Sequence, residues 1–136
     1  MNNAPNVKLG IVAVSRDCFP AELSKRRRIQ VVKEYEKLNK TIYECPIIVE
    51  NENDAIKALD DVRKNKVDAL VIYLGNFGPE GPETMLAQKF GSPTMFCAAS
   101  EENDTDSLND NRGDAFCGML NASYNLGLRN IKSYIP

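Results

Sequence analysis

Two kinds of apolar pattern alternate along this chain. Short runs are apolar at nearly every position, as within Lys8–Ser15, Ala69–Leu74 and Pro93–Ala98. Between them lie longer stretches where apolar residues return every three or four positions. The first pattern marks strands buried on both faces, as in a parallel sheet, and the second marks amphipathic helices. The segment Val67–Glu83 organises the rest. Its run Ala69–Leu74, rich in β-branched residues and closed by Gly75, predicts a central strand. Gly75-Asn76-Phe77-Gly78-Pro79-Glu80-Gly81-Pro82 then predicts a rigid, irregular loop that holds off helix until Pro82 or Glu83. A helix follows, with Met85, Leu86 and Phe90 buried, and stops at Gly91.

The other elements fall into the same rhythm. Lys8–Ser15 predicts the first strand, and Arg16-Asp17-Cys18-Phe19-Pro20 the loop at its carboxyl end. A helix over Ala21–Leu38 buries Leu23, Val31, Val32, Tyr35 and Leu38 and turns its lysines and arginines to water. Thr41–Cys45 predicts a second strand; Pro46 makes it an edge or a bulge, with Ile47–Val49 continuing it. Asn51–Asp54 caps a helix that runs to Asn65 on Ile56, Leu59 and Val62. Pro93–Ala98 is the fourth strand. Ser100–Asn111 holds a single apolar residue and predicts a surface connection, with a flap or an interdomain contact as sharper readings. The last helix, Arg112–Arg129, carries Phe116, Leu120, Tyr124 and Leu128 at fourfold spacing. Its Gly113, Gly118 and Gly127 imply a face that approaches another element closely. Ile131–Pro136 reads as the start of a further strand. Strands alternating with helices at these intervals predict an α/β fold of a single domain: a three-layer α/β/α, Rossmann-like (flavodoxin-like) parallel sheet.

Composition narrows the chemistry. The chain has 136 residues, 43% apolar and 26% charged, with a net charge of −2. That balance gives no pull towards nucleic acid or an acidic membrane. No run approaches the length of a bilayer span, and the polar amino terminus lacks a signal-peptide pattern, so the cytoplasm is the expected setting. Lys25-Arg26-Arg27-Arg28 reads as a solvated helix face. Cys18, Cys45, Cys97 and Cys117 form no CxxC pair; they read as thiols, mostly buried, with Cys18 on a loop. The chain contains no histidine, which removes histidine ligands and Ser-His-Asp chemistry from its own repertoire. There is no GxGxxG after the first strand and no Walker A sequence, so a classical nucleotide site is not expected. Ligands of open α/β sheets bind on loops at the carboxyl ends of the strands. Phe77 and its neighbours are therefore the expected ligand contacts.

Four pieces carry a family likeness: Leu9-Gly10-Ile11, Val71-Ile-Tyr-Leu-Gly-Asn-Phe-Gly-Pro-Glu80, Gly91-Ser-Pro-Thr-Met-Phe96 and Gly113-Asp-Ala-Phe-Cys-Gly-Met-Leu120. Together they resemble the N-terminal domain of L-fucose/L-arabinose isomerase-like proteins, across nearly the whole chain. The resemblance implies an N-terminal domain over residues 1–136 of an aldose–ketose isomerase. It implies a divalent metal, usually manganese, held by Glu, Asp and His of later domains, with no metal ligand, cofactor or catalytic residue in this chain. It implies an aldose or ketose substrate, contacts with C-terminal domains or neighbouring subunits, and a homo-oligomer. Phe77 matches the family's aromatic cover over the sugar. Asn76, Glu80 and Arg16 complete the expected substrate-binding set, Asn76 and Glu80 as partners of sugar hydroxyls. Arg16 and Asp17 have a second reading, as a mutual pair or helix cap. Such a domain is inactive alone; the alternative is a stand-alone sugar- or small-ligand-binding domain without catalysis.

Overall fold

The computed structural model describes residue 3, residues 5–102 and residues 112–136. The stretch 103–111, most of the polar connection after the fourth strand, lies outside the described residues. The strands are β1 (Leu9–Val14), β2 (Tyr43–Val49), β3 (Ala69–Leu74) and β4 (Thr94–Ala98), and the helices are α1 (Ala21–Glu36), α2 (Glu52–Lys64), α3 (Glu80–Phe90) and α4 (Ala115–Leu128). The strands form one sheet in the order β2-β1-β3-β4, every pair parallel. Tyr43 lies beside Gly10 and Glu44 beside Ile11, so the two point to opposite faces. Tyr43 bonds Asp61 of α2 while Glu44 pairs with Arg28 of α1. α1 therefore covers one face, and α2, with α3 and α4 packed successively against it, covers the other. The result is a three-layer α/β/α domain, as the alternation of patterns predicts.

β1 and β3 are buried along nearly their whole lengths, and Ile11, Val12, Leu70, Ile72, Leu74 and Phe96 are core residues. Pro46 sits on edge strand β2, where the register to β1 slips between Ile11 and Ala13. That is the position a residue without an N–H tolerates. Asn51 caps α2 by accepting from the Asp54 N–H at 3.1 Å. α3 begins at Glu80, two residues before the loop's proline content suggests. Pro82 falls inside its first turn, where N–H groups have no helical partner to lose. After α4 the chain returns along the free edge of β4: Tyr134 bridges Met95, with the Tyr134 N–H on Thr94 O and the Phe96 N–H on Tyr134 O, both at 2.9 Å. The expected further strand does start there.

Two expected helix faces turn out differently, and on the last helix the expected close glycine face is seen. On α1, Arg27 and Arg28 are only 5% and 3% exposed, while Leu38, expected at the buried end of the helix, lies beyond it and open to solvent. Arg27 donates to Gly75 O at 2.7 Å and pairs with Glu101 and Glu102; Arg28 pairs with Glu44 at 2.9 Å. These carboxylates stand far away in the sequence, so the basic run does not reveal its burial. On α2, Ile56 is exposed and Ala55 and Ala58 face the core with Leu59 and Val62. On α4, the large apolar residues Phe116, Leu120, Tyr124 and Leu128 face outward, and Ala115, Gly118, Ala122 and Leu126 face in. The inward face is the small one because a loop backbone presses on it, as described next. All four cysteines are free thiols: Cys45 is buried and Cys97 half-buried, but Cys117 is exposed on α4, as Cys18 is on its loop.

Candidate functional site

In the order β2-β1-β3-β4, the connections leaving β1 and β3 run in opposite directions. The crevice between their carboxyl ends is the topological switch point, where open α/β sheets place ligands. Ser15-Arg16 leaves β1 there, and Gly75-Asn76-Phe77-Gly78 leaves β3. The first turn of α1 is tied to this edge by Ser24, whose hydroxyl donates to Val14 O at 2.6 Å. Gly75 is required beside it, because a Cβ there would lie 2.5 Å from Ser24 Cα. Gly78 has φ +76°, a left-handed conformation that other residues adopt at a cost.

Asn76 joins the two loops. It is 0% exposed. Its oxygen accepts from the Arg16 N–H at 3.1 Å and the Gly78 N–H at 3.3 Å, and its amide donates to Ser15 Oγ at 2.8 Å and Pro20 O at 3.3 Å. That uses the full capacity of a carboxamide. Asn76 thus lies beneath the crevice rather than on its wall, with no hydrogen-bonding valence left over.

Arg16, Phe77 and Glu80 meet above it. The Arg16 guanidinium stands 5.0 Å from the centre of the Phe77 ring and pairs with Glu80 at 3.0 Å. Phe19 stacks on Phe77 from the other loop, with centroids 6.0 Å apart and planes 10° apart. Arg16 pairs with Glu80, sixty-four residues on, and not with its neighbour Asp17, which is exposed. Next to this group is an open cleft of about 580 Å³, walled by Arg16, Asp17, Glu50, Glu52, Glu80 and the Pro79–Pro82 turn. Its wall is rich in carboxylates, which accept from hydroxyls. A second groove of about 500 Å³ lies between α1 and β3, lined by Val31, Tyr35, Leu38 and Tyr73 among others. It is far more apolar, and Ala99, Ser100 and Glu102, just past the carboxyl end of β4, complete its wall.

Two features of the site escape a reading of the sequence alone. Phe19 reads there only as a residue near a helix cap. Glu83 reads as a first-turn helix residue, yet it is 0% exposed and neither carboxyl oxygen has a hydrogen-bond partner. It lies under Gly78: a Cβ on that glycine would collide with Glu83 Oε2 and stand 2.9 Å from Val14 Cγ2. Burial pushes the Glu83 carboxyl well above its ordinary range, the charge of Glu80 adds to this, and Arg16 opposes it. Only the neutral acid suits such a place.

α4 supports the loop from behind. A Cβ at Gly118 would lie 2.8 Å from Phe77 Cα and 2.5 Å from its carbonyl carbon. Gly113, just before the helix, meets Asn76 Cα and Gly75 O, each at 3.0 Å from such a Cβ. Glu101 holds the start of α4, accepting from the Gly113 N–H at 3.2 Å and the Asp114 N–H at 2.7 Å. Burial raises the Glu101 carboxyl, but these N–H groups and Arg27 outweigh it and hold it below its ordinary value.

The geometry sets a guanidinium and carboxylates around an open polar cleft, with the stacked Phe19 and Phe77 rings beside Arg16. Among the described residues, no group of three or more His, Cys, Asp or Glu is placed to hold a metal ion. Nor is any described helix long and apolar enough to cross a membrane. A search of curated proteins finds no match. Residues 10–136 do match the family described as fucose/sulfoquinovose isomerase, N-terminal domain. The match takes in both strand-end loops, β3 and all of α4, and so the chain belongs to the fucose/sulfoquinovose isomerase N-terminal domain family.

Proposed function

We propose that this chain is the N-terminal unit of a cytoplasmic aldose–ketose isomerase, and that it covers the sugar and makes subunit contacts while other domains perform the chemistry. The observation that carries the reading is the convergence of Arg16, Phe77 and Glu80 on one crevice at the β1/β3 switch point. An aromatic face packs on the C–H patch of a sugar ring and keeps water from it. Arg16 and Glu80 offer a donor and an acceptor for hydroxyls, and each is part-exposed at 37% and 34%. Asn76 acts through them, by holding the two loops in register. The divalent metal of this reading, manganese, is assigned to ligands in later domains, since no group of three or more His, Cys, Asp or Glu among the described residues is placed to hold it.

The test has two parts. The chain is assayed with manganese for isomerisation of L-fucose, L-arabinose and sulfoquinovose, and the assay is repeated with the remaining domains present. Turnover is expected only in the second case, and turnover by the chain alone overturns the reading. In the assembled enzyme Phe77→Ala should raise KM several-fold, as expected for loss of a ring contact worth about 0.5–1.5 kcal/mol. Sugar binding by the chain alone, with no turnover in any assembly, would favour a ligand-binding domain without catalysis.

A further inference from the structure

α4 is fourteen residues long, and none of them is charged. A helix on the outside of a soluble domain normally turns charged residues to water. Here the outward residues are Phe116, Leu120, Tyr124 and Leu128, exposed by 61%, 74%, 66% and 66%. We propose that this face is covered by the same face of a second copy of the chain, in a two-fold, antiparallel helix pair.

Three observations choose that occupant. The four side chains lie at i, i+4, i+8 and i+12, a single row of neighbours along the helix surface. Their order is aromatic, leucine, aromatic, leucine. Reversed against itself, as a two-fold axis requires, that order sets Phe116 against Leu128 and Leu120 against Tyr124, so that every ring meets a leucine. The ridge exposes roughly 500 Å² of apolar side chain, near the upper end for a single patch on a monomer. Pairing would remove about 1,000 Å² in total, the lower bound for a specific interface, before flanking residues are added. Because α4 is uncharged, the two copies meet without like-charge repulsion between their helices.

The proposal rests on the subunit-contact part of the reading above. Its test reads association and not sugar chemistry, so the two can fail separately. Sedimentation velocity across the micromolar range should show a monomer–dimer equilibrium. Leu120→Glu, at an exposed position that does not endanger folding, should weaken it at least tenfold. Geometry is read by disulfide trapping, with the exposed Cys18 and Cys117 replaced by serine. Positions 116 and 128 of one helix are about 18 Å apart, beyond disulfide reach, so a bond between them forms only between copies. The double variant Phe116→Cys/Leu128→Cys should give a covalent dimer on mild oxidation, and neither single variant should. A chain that stays monomeric throughout, association untouched by Leu120→Glu, or single variants that cross-link as well as the double would overturn the proposal.

Discussion

Replacing Gly118 by alanine should damage this protein, although alanine is the better helix former. A helix-interior glycine-to-alanine change ordinarily stabilises by about 0.5–1 kcal/mol. At Gly118 the new Cβ would come 2.8 Å from Phe77 Cα and 2.5 Å from its carbonyl carbon, and closer still to the oxygen. Ordinary carbon contacts lie at about 3.5–4.0 Å, so the helix and the loop must part by about 1 Å or more. Neither gives easily. The obstacle is backbone, and that loop is held by the four hydrogen bonds of Asn76. Overpacking of this kind costs about 1–3 kcal/mol, which offsets or outweighs the propensity gain and leaves a net loss of up to roughly 2.5 kcal/mol. Gly127, on the same helix, is the matched control, since a Cβ there meets nothing within 4 Å. Gly127→Ala should therefore stabilise by up to about 1 kcal/mol. Urea denaturation of the two variants beside the parent chain reads both signs. If Gly118→Ala proves as stable as Gly127→Ala, the close approach of α4 to the Phe77 loop is wrong, and with it the account of how that loop is positioned.

Two further outcomes follow from the groups beneath the site. Asn76→Ala strands two backbone N–H groups, one carbonyl and a buried hydroxyl, and should cost about 2–4 kcal/mol in the same denaturation assay; a loss below about 0.5 kcal/mol would show that Asn76 does not join the loops. Glu83→Gln tests the buried acid. The folded-state pKa lies above the ordinary 4.5, so as pH rises past that value the unfolded chain releases a proton that the folded chain keeps. Its contribution to stability is thus fully present below that value and is lost as pH rises towards the folded pKa, with a slope of at most about 1.4 kcal/mol per pH unit. Glutamine cannot ionise, so the stability of Glu83→Gln relative to the parent should grow with pH above 4.5; a gap that is flat with pH would refute the buried neutral carboxyl.

The sequence by itself determined the layout. Short β-branched runs apolar on both faces and closed by glycine or proline suit interior strands of a parallel sheet, and their alternation with helical periods points to crossovers and layers. The glycines and prolines after Leu74 mark the loop that tops the central strand, so the position of that loop was legible before any contact was known. Tertiary structure decided which groups meet there. Arg16 and Glu80 are sixty-four residues apart, and nothing local says that they pair. Arg27 and Arg28 read as solvated because charge is costly to bury unless partnered, and their partners come from β2 and from the segment after β4. On α4, periodicity places Phe116, Leu120, Tyr124 and Leu128 on one stripe but does not choose the direction in which that stripe faces. The Phe77 backbone constrains the choice: it comes so close to α4 that only a glycine fits at position 118, on the face opposite the exposed Phe116, Leu120, Tyr124 and Leu128.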